Sequence, residues 1–217
     1  IVDKESRYLA AIQGEVDIGA ADFGDLNKHA VLKERAKAGN YDVLFWQGSR
    51  QPSQIYWRWP YAQDDNFKEA QTHKQFRQAL SIGIDRNEMN EKLFLGLATP
   101  SVSGVPRDSP MYDPVQDTWL GPDREKALAL FAEIGISDTD GDGILEYKDG
   151  SDVHIIVPGA SGHPMNIETA EALAAEWAKL GIKTTMFTAD AVTISDRLFR
   201  GEIAFQISTG IPEGVPF

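Results

Sequence analysis

Apolar residues recur at helical spacing near the middle of the chain, at Phe76, Leu80 and Ile84. Positions i, i+4 and i+8 lie on one face of an α-helix, so this row predicts a helix packed against a core. Asp85 follows the row, and Glu88 stands three residues later, which is the signature of an N-terminal capping box. The pattern therefore predicts two consecutive helices, followed by a long loop rich in proline, glycine and serine.

Toward the carboxyl end, the pattern alternates between strand and helix. Apolar and β-branched runs predict strands at 153–157, 182–187 and 203–207, and the segments 164–180 and 190–200 between them have helical spacing. Strands joined by helical crossovers are typical of a layered α/β domain.

The first part of the chain mixes short predicted helices and strands. Glycine ends two of the helices, and aromatic or β-branched residues dominate the strands. The predicted elements are a helix at 6–13, a strand at 15–20, a helix at 26–37 and strands at 41–47 and 54–59.

Composition narrows the classes of function. The chain has 217 residues, of which 42% are hydrophobic and 25% charged, as in an ordinary globular protein. Its net charge of −12 argues against a nucleic-acid partner and against docking on an anionic membrane. The absence of cysteine excludes disulfides, thiol catalysis and thiolate metal sites.

No apolar run approaches the ~20 residues that a membrane-spanning helix needs. A signal peptide is also absent, and the sequence starts at Ile1 rather than at methionine. We therefore expect a processed or excised piece of a longer protein.

An acidic turn contains the strongest local motif. Asp138, Asp140 and Asp142 occupy positions 1, 3 and 5 of an EF-hand-type loop, with Gly143 at position 6 and Asp149 at position 12. Alternating carboxylates can converge on one calcium ion, but they can equally cap backbone N–H groups in an Asx turn. If the turn binds calcium, two hypotheses follow. The ion would have a structural role, or the chain would be a calcium-dependent interaction domain.

Aromatic residues cluster around the strand predicted at 54–59. Aromatic faces with hydrogen-bonding side chains between them suit a site for a sugar or a peptide. One face of that strand is expected to be core. The cluster comprises Trp46, Gln47, Tyr56, Trp57, Arg58, Trp59 and Tyr61.

Evidence for catalysis is weak. Ser161 lies in a Gly-Ala-Ser-Gly-His segment, whose spacing does not match the G-x-S-x-G nucleophile elbow of hydrolases. A carboxylate glycoside hydrolase remains an alternative because the chain has 33 acidic residues, although no pair stands out.

The segment FRQALSIGIDRNEMNEKLFLGLATPSVSGVPRDSPMYDP at 76–114 resembles the signature region of family 5 extracellular solute-binding proteins. These are the peptide, nickel and oligosaccharide receptors of ABC importers. The resemblance extends to the acidic turn at 138–143 and to the segment AKLGI at 178–182. Gly83 departs from the family pattern, which has alanine at that position.

The resemblance implies an α/β fold, namely one lobe of a periplasmic-binding-protein type II fold with a mixed sheet flanked by helices. Residues 1–22 would form a hinge-proximal helix and strand, 23–207 a single α/β lobe, namely the C-terminal-side lobe, and 208–217 a segment that returns to the hinge. It also implies a periplasmic or extracellular protein that is not an enzyme and has no organic cofactor. We expect a monomer that passes a peptide or an oligosaccharide to permease subunits in the membrane.

The resemblance places the solute against the strand at 54–59, the loop at 103–108 and the segment after the last strand. Family peptide receptors often carry Trp-Thr-Gly-Asp there, whereas this chain has Ser208-Thr209-Gly210-Ile211. The missing acid disfavours peptides with a free amino terminus. The candidate ligand-binding residues are Gln47, Trp57, Arg58, Trp59, Arg107 and Thr209.

Overall fold

The computed structural model describes residues 4–17, 26–44, 54–57, 65–102, 105, 107, 109–162 and 164–208. The chain divides into two compact units, residues 1–49 and residues 50–217. Within the described ranges, no helix combines the length and the apolar character that crossing a membrane requires. The predicted boundaries at residues 22 and 207 stay predictions.

The first unit contains two helices, α1 (Lys4–Gln13) and α2 (Leu26–Gly39). Gly14 ends α1 in the left-handed region (φ 73°), as the sequence predicted, and a Cβ atom there would lie 2.3 Å from the Gly39 carbonyl oxygen. The strands expected at 15–20 and 41–47 are wrong over 15–17 and 41–44, which have no regular structure. Their remaining residues lie outside the described ranges.

The second unit alternates helices and strands, and its boundaries agree with most of the predicted ones. A short helix at 65–70 was not predicted, because its sequence is polar. The elements are β1 (Gln54–Trp57), α3 (Asp65–Ala70), α4 (Lys74–Ile82), α5 (Arg86–Phe94), a 3₁₀ helix (Pro114–Trp119), α6 (Arg124–Glu133), β2 (His154–Ala160), α7 (Pro164–Lys179), β3 (Lys183–Ala189), α8 (Ala191–Arg200) and β4 (Phe205–Ser208).

The described strands form two hydrogen-bonded pairs. β2 and β3 are parallel and are connected by α7, whereas β1 and β4 are antiparallel. Parallel strands need a crossover connection, and a helix is the usual one. The second unit is therefore an α/β structure with strands in both directions and helices around them, as predicted.

Aromatic residues from distant parts of the second unit form its core. Phe76 of α4 contacts Phe131 of α6 edge to face, with ring centroids 5.7 Å apart, and Trp177 of α7 contacts Phe205 of β4 at 5.5 Å. Leu80 and Ile84 are also buried, so the apolar row of α4 faces the core as predicted. Burial of such apolar surface is the main stabilising contribution to a fold of this kind.

Asp85 caps α5 at its amino terminus. Its Oδ1 accepts hydrogen bonds from the backbone N–H groups of Asn87 (3.0 Å) and Glu88 (2.9 Å). The second half of the predicted capping box is wrong, since the Asp85 N–H donates to Glu176 Oε2 of α7 (3.0 Å). Glu88 instead pairs with Lys179 at 3.0 Å, because α7 brings an ammonium group within its reach.

Candidate functional site

Three element ends meet at one edge of the second unit. β2 ends at Ala160, α7 begins at Pro164, and β4 ends at Ser208. The helix packs closely on β2, because a Cβ atom at Gly159 would lie 3.4 Å from Ile167 Cα. In α/β folds, ligands bind in the crevice outside the carboxyl ends of the strands. This carboxyl edge is therefore the candidate site.

Asn166 connects α7 to β4 at the carboxyl edge. Its side chain is only 7% exposed, and its Nδ2 donates a hydrogen bond to the Ile207 carbonyl oxygen at 3.2 Å. Asn166 was not among the residues predicted from the sequence. An asparagine in the first turns of a helix is common, and no local pattern distinguishes one that bonds a strand 41 residues away.

Most of the predicted ligand-binding residues lie outside the described ranges, namely Gln47, Arg58, Trp59 and Thr209. Trp57 is described through its backbone alone, as the last residue of β1. Ile55 of the same strand packs against the core, in keeping with the expectation that one face of this strand is core.

The β1–β4 register separates two parts of the predicted site. Gln54 lies opposite Ser208, and Trp57 lies opposite Phe205, at the other end of β4. Three strand residues span about 10 Å. Ser208 therefore lies at the end of the ladder that is distant from Trp57.

Arg107 contacts residues of its own segment. Its Nη1 lies 2.8 Å from Asp117 Oδ2, and its guanidinium carbon lies 5.6 Å from the centroid of the Tyr112 ring. The Asp117 carboxylate attracts the hydroxyl proton of Tyr112 and thereby raises the pKa of Tyr112. The Asp117 carboxylate thus already compensates the positive charge that Arg107 would offer to a solute.

The acidic turn brings four carboxylates together. Four carboxylate oxygens lie within 4.8 Å of one another, one from each of Asp138, Asp140, Asp142 and Glu146. Glu146 is only 4% exposed and occupies position 9 of the loop, where EF-hands often place a ligand. Glu146 was not among the predicted ligands, although its place in the loop numbering was a signal that could have found it.

The same carboxylates also accept backbone hydrogen bonds, as the Asx-turn alternative predicts. Asp138 accepts from the N–H groups of Gly141 (2.7 Å) and Gly143 (3.0 Å), and Glu146 Oε2 accepts from the Thr139 N–H at 2.6 Å. Each carboxylate oxygen has two lone-pair sites, so these bonds leave acceptor capacity for a cation. Calcium prefers oxygen ligands and takes roughly six to eight of them, so the four carboxylates would supply part of its coordination.

Asp149, at loop position 12, is not part of this carboxylate group. Its Oδ2 accepts a hydrogen bond from Asn66 Nδ2 at 2.6 Å, and its Oδ1 accepts from the Ser151 N–H at 3.0 Å. Bonds from the Ser151 and Asn66 side chains lower the pKa of Asp149 to about 2. The acid at position 12 therefore stabilises a neighbouring turn.

The acidic loop lies at the edge opposite to the carboxyl edge. It precedes β2, and the Leu145 N–H donates to the Gly181 carbonyl oxygen at 2.7 Å, immediately before β3. β2 has seven residues and so spans about 20 Å. Any ion in the loop is thus remote from the candidate site.

Comparison with known proteins identifies one family and two curated relatives with sequence similarity to this chain. The family described as bacterial extracellular solute-binding proteins, family 5 Middle, matches residues 1–213. The periplasmic alpha-galactoside-binding protein of Rhizobium meliloti is 27% identical over 128 residues, which is 57% of this chain and 18% of that protein. Heme-binding protein A of Haemophilus influenzae is 28% identical over 132 residues, which is 58% of this chain and 21% of that protein.

Solved structures share the fold. The oligopeptide-binding protein OppA superposes with a TM-score of 0.75 at 25% identity, over 97% of this chain and 34% of that one. The Agrobacterium fabrum protein MelB, in complex with stachyose, gives a TM-score of 0.73 at 21% identity, over 94% of this chain and 32% of that one. The chain therefore spans about a fifth of the curated relatives and about a third of these solved structures.

Proposed function

Because the chain belongs to family 5 of the bacterial extracellular solute-binding proteins of ABC importers, we propose that it forms part of a receptor that captures a small solute in a cleft. The family match over residues 1–213 is the observation that carries this proposal. The solute would be a peptide or an oligosaccharide, and the receptor would deliver it to permease subunits in the membrane. We propose an exported, monomeric protein without catalytic activity.

The carboxyl edge of the second unit would border the cleft, and closure would be a hinge motion around the solute. Gln47, Trp57, Arg58, Trp59, Arg107 and Thr209 remain the candidate ligand-binding residues. Ile211 stands where family peptide receptors often have an acid, which supports a solute without a free amino group at that point. An uncharged oligosaccharide fits this chemistry, as does a peptide whose terminus lies elsewhere.

Thermal denaturation of the full-length receptor with a panel of solutes tests the proposal. The panel contains stachyose, trialanine, nickel with histidine, and heme, each at a saturating concentration. A solute at about 100 times its Kd stabilises the folded state by about 2.7 kcal/mol, so a bound solute raises the Tm. If no solute of any class changes the Tm, the receptor function is contradicted.

Alanine substitutions in the full-length receptor test the individual site residues. A residue that touches the solute weakens binding when it is truncated, and an aromatic contact is expected to cost at least tenfold in Kd. Substitutions that leave the Kd unchanged remove the corresponding residue from the site.

We also propose that the acidic loop holds a structural calcium ion, bound by Asp138, Asp140, Asp142 and Glu146. The presence of the buried Glu146 among the aspartates is the observation that favours it. Calcium would stabilise the loop by neutralising carboxylates that repel one another. Calorimetric titration of calcium into chelator-treated protein checks this, and the absence of binding at millimolar concentration would contradict it.

A further inference from the structure

Asn166 has a buried carboxamide whose position is defined by one partner on another element. The side chain is 7% exposed, and its Nδ2 donates to the Ile207 carbonyl oxygen across 3.2 Å. Burial of an amide without a hydrogen bond costs free energy, so the bond constrains both groups. The carboxamide therefore ties the first turns of α7 to the carboxyl end of β4.

Burial of Ile207 also holds the end of β4, but the hydrogen-bonded ladder there is short. β4 contains four residues, and its ladder with the short strand β1 ends at the pair Gln54 and Ser208. A ladder frays from its ends, where each residue has fewer bonded neighbours. The Asn166 bond acts one residue before Ser208, where it opposes this fraying.

A neighbouring residue on the same helix provides a natural contrast. Thr169 lies one turn further along α7 and is 4% exposed, and its Oγ1 has no hydrogen-bond partner. The two side chains are similar in burial and in location. They differ in that only Asn166, of the two, bonds the end of β4.

We propose that Asn166 is a positioning residue for solute binding. It holds the Ile207 carbonyl, and with it the end of β4 at Ser208, the residue that precedes the candidate Thr209 in the chain. This inference rests on the proposed function, because Thr209 is a candidate ligand-binding residue of the receptor.

Hydrogen exchange in the solute-free, full-length receptor tests the positioning directly. Asn166→Leu removes the donor, and Asn166→Asp replaces it by a group that repels the carbonyl. Both variants are expected to accelerate amide exchange at 205–210 roughly tenfold, with no change at 154–160. Thr169→Val, the matched control, is expected to leave exchange at 205–210 unchanged. Unaltered exchange at 205–210 in both Asn166 variants overturns the inference.

Binding of stachyose and of trialanine gives the second readout, measured well below the Tm. Asn166→Leu is expected to weaken the Kd of the bound probe roughly tenfold, and Thr169→Val less than twofold. In the Thr209→Val background, the Asn166→Leu effect is expected to shrink, because both substitutions act through the same backbone segment.

The outcomes separate this inference from the proposed function. If neither probe and no other panel solute binds, the receptor function is contradicted. The exchange result alone then decides whether Asn166 positions the end of β4. If Thr209→Val weakens solute binding and Asn166→Leu does not, the role of Asn166 is overturned and the receptor function still stands. Equal, additive losses from both substitutions also overturn the role of Asn166.

Discussion

At the scale of single residues, Arg86 illustrates a half-buried charge in a structural role. Its Nη1 donates to the carbonyl oxygens of Ser81 (2.7 Å) and Leu120 (2.6 Å), and its Nη2 donates to Ser81 Oγ at 2.9 Å. Burial lowers the pKa of Arg86 to about 10. The guanidinium thus ties the end of α4 to the chain that follows the 3₁₀ helix.

Substitution of Arg86 by leucine is expected to lower the free energy of unfolding by about 2–4 kcal/mol, because two backbone carbonyls lose their donor. Arg124 at the start of α6 is exposed and serves as the control, for which Arg124→Leu is expected to cost less than about 0.5 kcal/mol. Urea denaturation of the 217-residue chain, followed by circular dichroism, measures both. Equal losses would show that Arg86 has no special structural role.

At the scale of elements, Gly83 sets the approach of α4 to α7. A Cβ atom at this position would lie 2.3 Å from Leu180 Cδ1 and 3.0 Å from Leu180 Cγ. The φ of Gly83 is −76°, which any residue adopts, so the backbone itself does not require glycine. Leu180 therefore occupies the space that the alanine typical of the family would need.

Gly83→Ala is expected to destabilise the chain by about 1–3 kcal/mol through overpacking. Leu180→Ala alone is expected to cost about 2–5 kcal/mol through the cavity that it leaves. The double variant should cost less than the sum of the two, since the new methyl group enters that cavity. Additive losses in chemical denaturation would contradict the proposed contact.

A charged cluster connects α5 to α7 on the surface. Glu88 pairs with Lys92 and with Lys179, and Lys179 also lies 2.6 Å from Glu176 Oε1. Hydrogen bonds from Lys92 and Lys179 lower the pKa of Glu88 from 4.5 to about 2. The folded chain thus keeps the Glu88 carboxylate ionised at a pH where the unfolded chain protonates it.

A lowered pKa in the folded state stabilises the fold above the ordinary pKa, and the benefit disappears as the pH falls through the folded value. The Tm of the wild type is therefore expected to fall more steeply between pH 4.5 and about 2 than that of Glu88→Gln. Lys179→Met should remove part of the same dependence. Identical slopes in thermal scans of wild type and Glu88→Gln would contradict this account.

At the scale of the whole molecule, the acidic loop and the carboxyl edge lie at opposite ends of β2. This separation predicts that calcium affects stability without affecting solute affinity. Calcium is expected to raise the Tm of the receptor relative to a chelator, because it binds the folded loop alone. The Kd of the panel solute is expected to change less than twofold.

Two matched substitutions check this prediction. Asp142→Asn removes a carboxylate of the group and is expected to abolish the calcium-dependent rise in Tm, whereas Asp149→Asn, outside the group, is expected to retain it. A calcium-dependent change in the solute Kd that disappears with Asp142→Asn would instead indicate a regulatory ion.

Local patterns predicted most elements because their signals lie within a few residues. The apolar spacing of Phe76 and Leu80, the capping carboxylate of Asp85 and the glycine at the end of α1 all act within one or two helical turns. The strand expected at 41–47 was wrong over residues 41–44, since aromatic and β-branched composition reports fit to a sheet and not the presence of a partner strand.

The sequence by itself determined the family, through the resemblance carried by residues 76–114. It also determined the α/β class, the core face of α4 and the acidic turn, because these depend on local spacing. The tertiary structure alone decided the contacts of distant residues. It placed Glu176 on the Asp85 N–H, Leu180 against Gly83, and Asn166 on the end of β4. Such pairs are separated by 41 to 97 positions, and their meeting depends on how helices pack and not on any pattern within one segment.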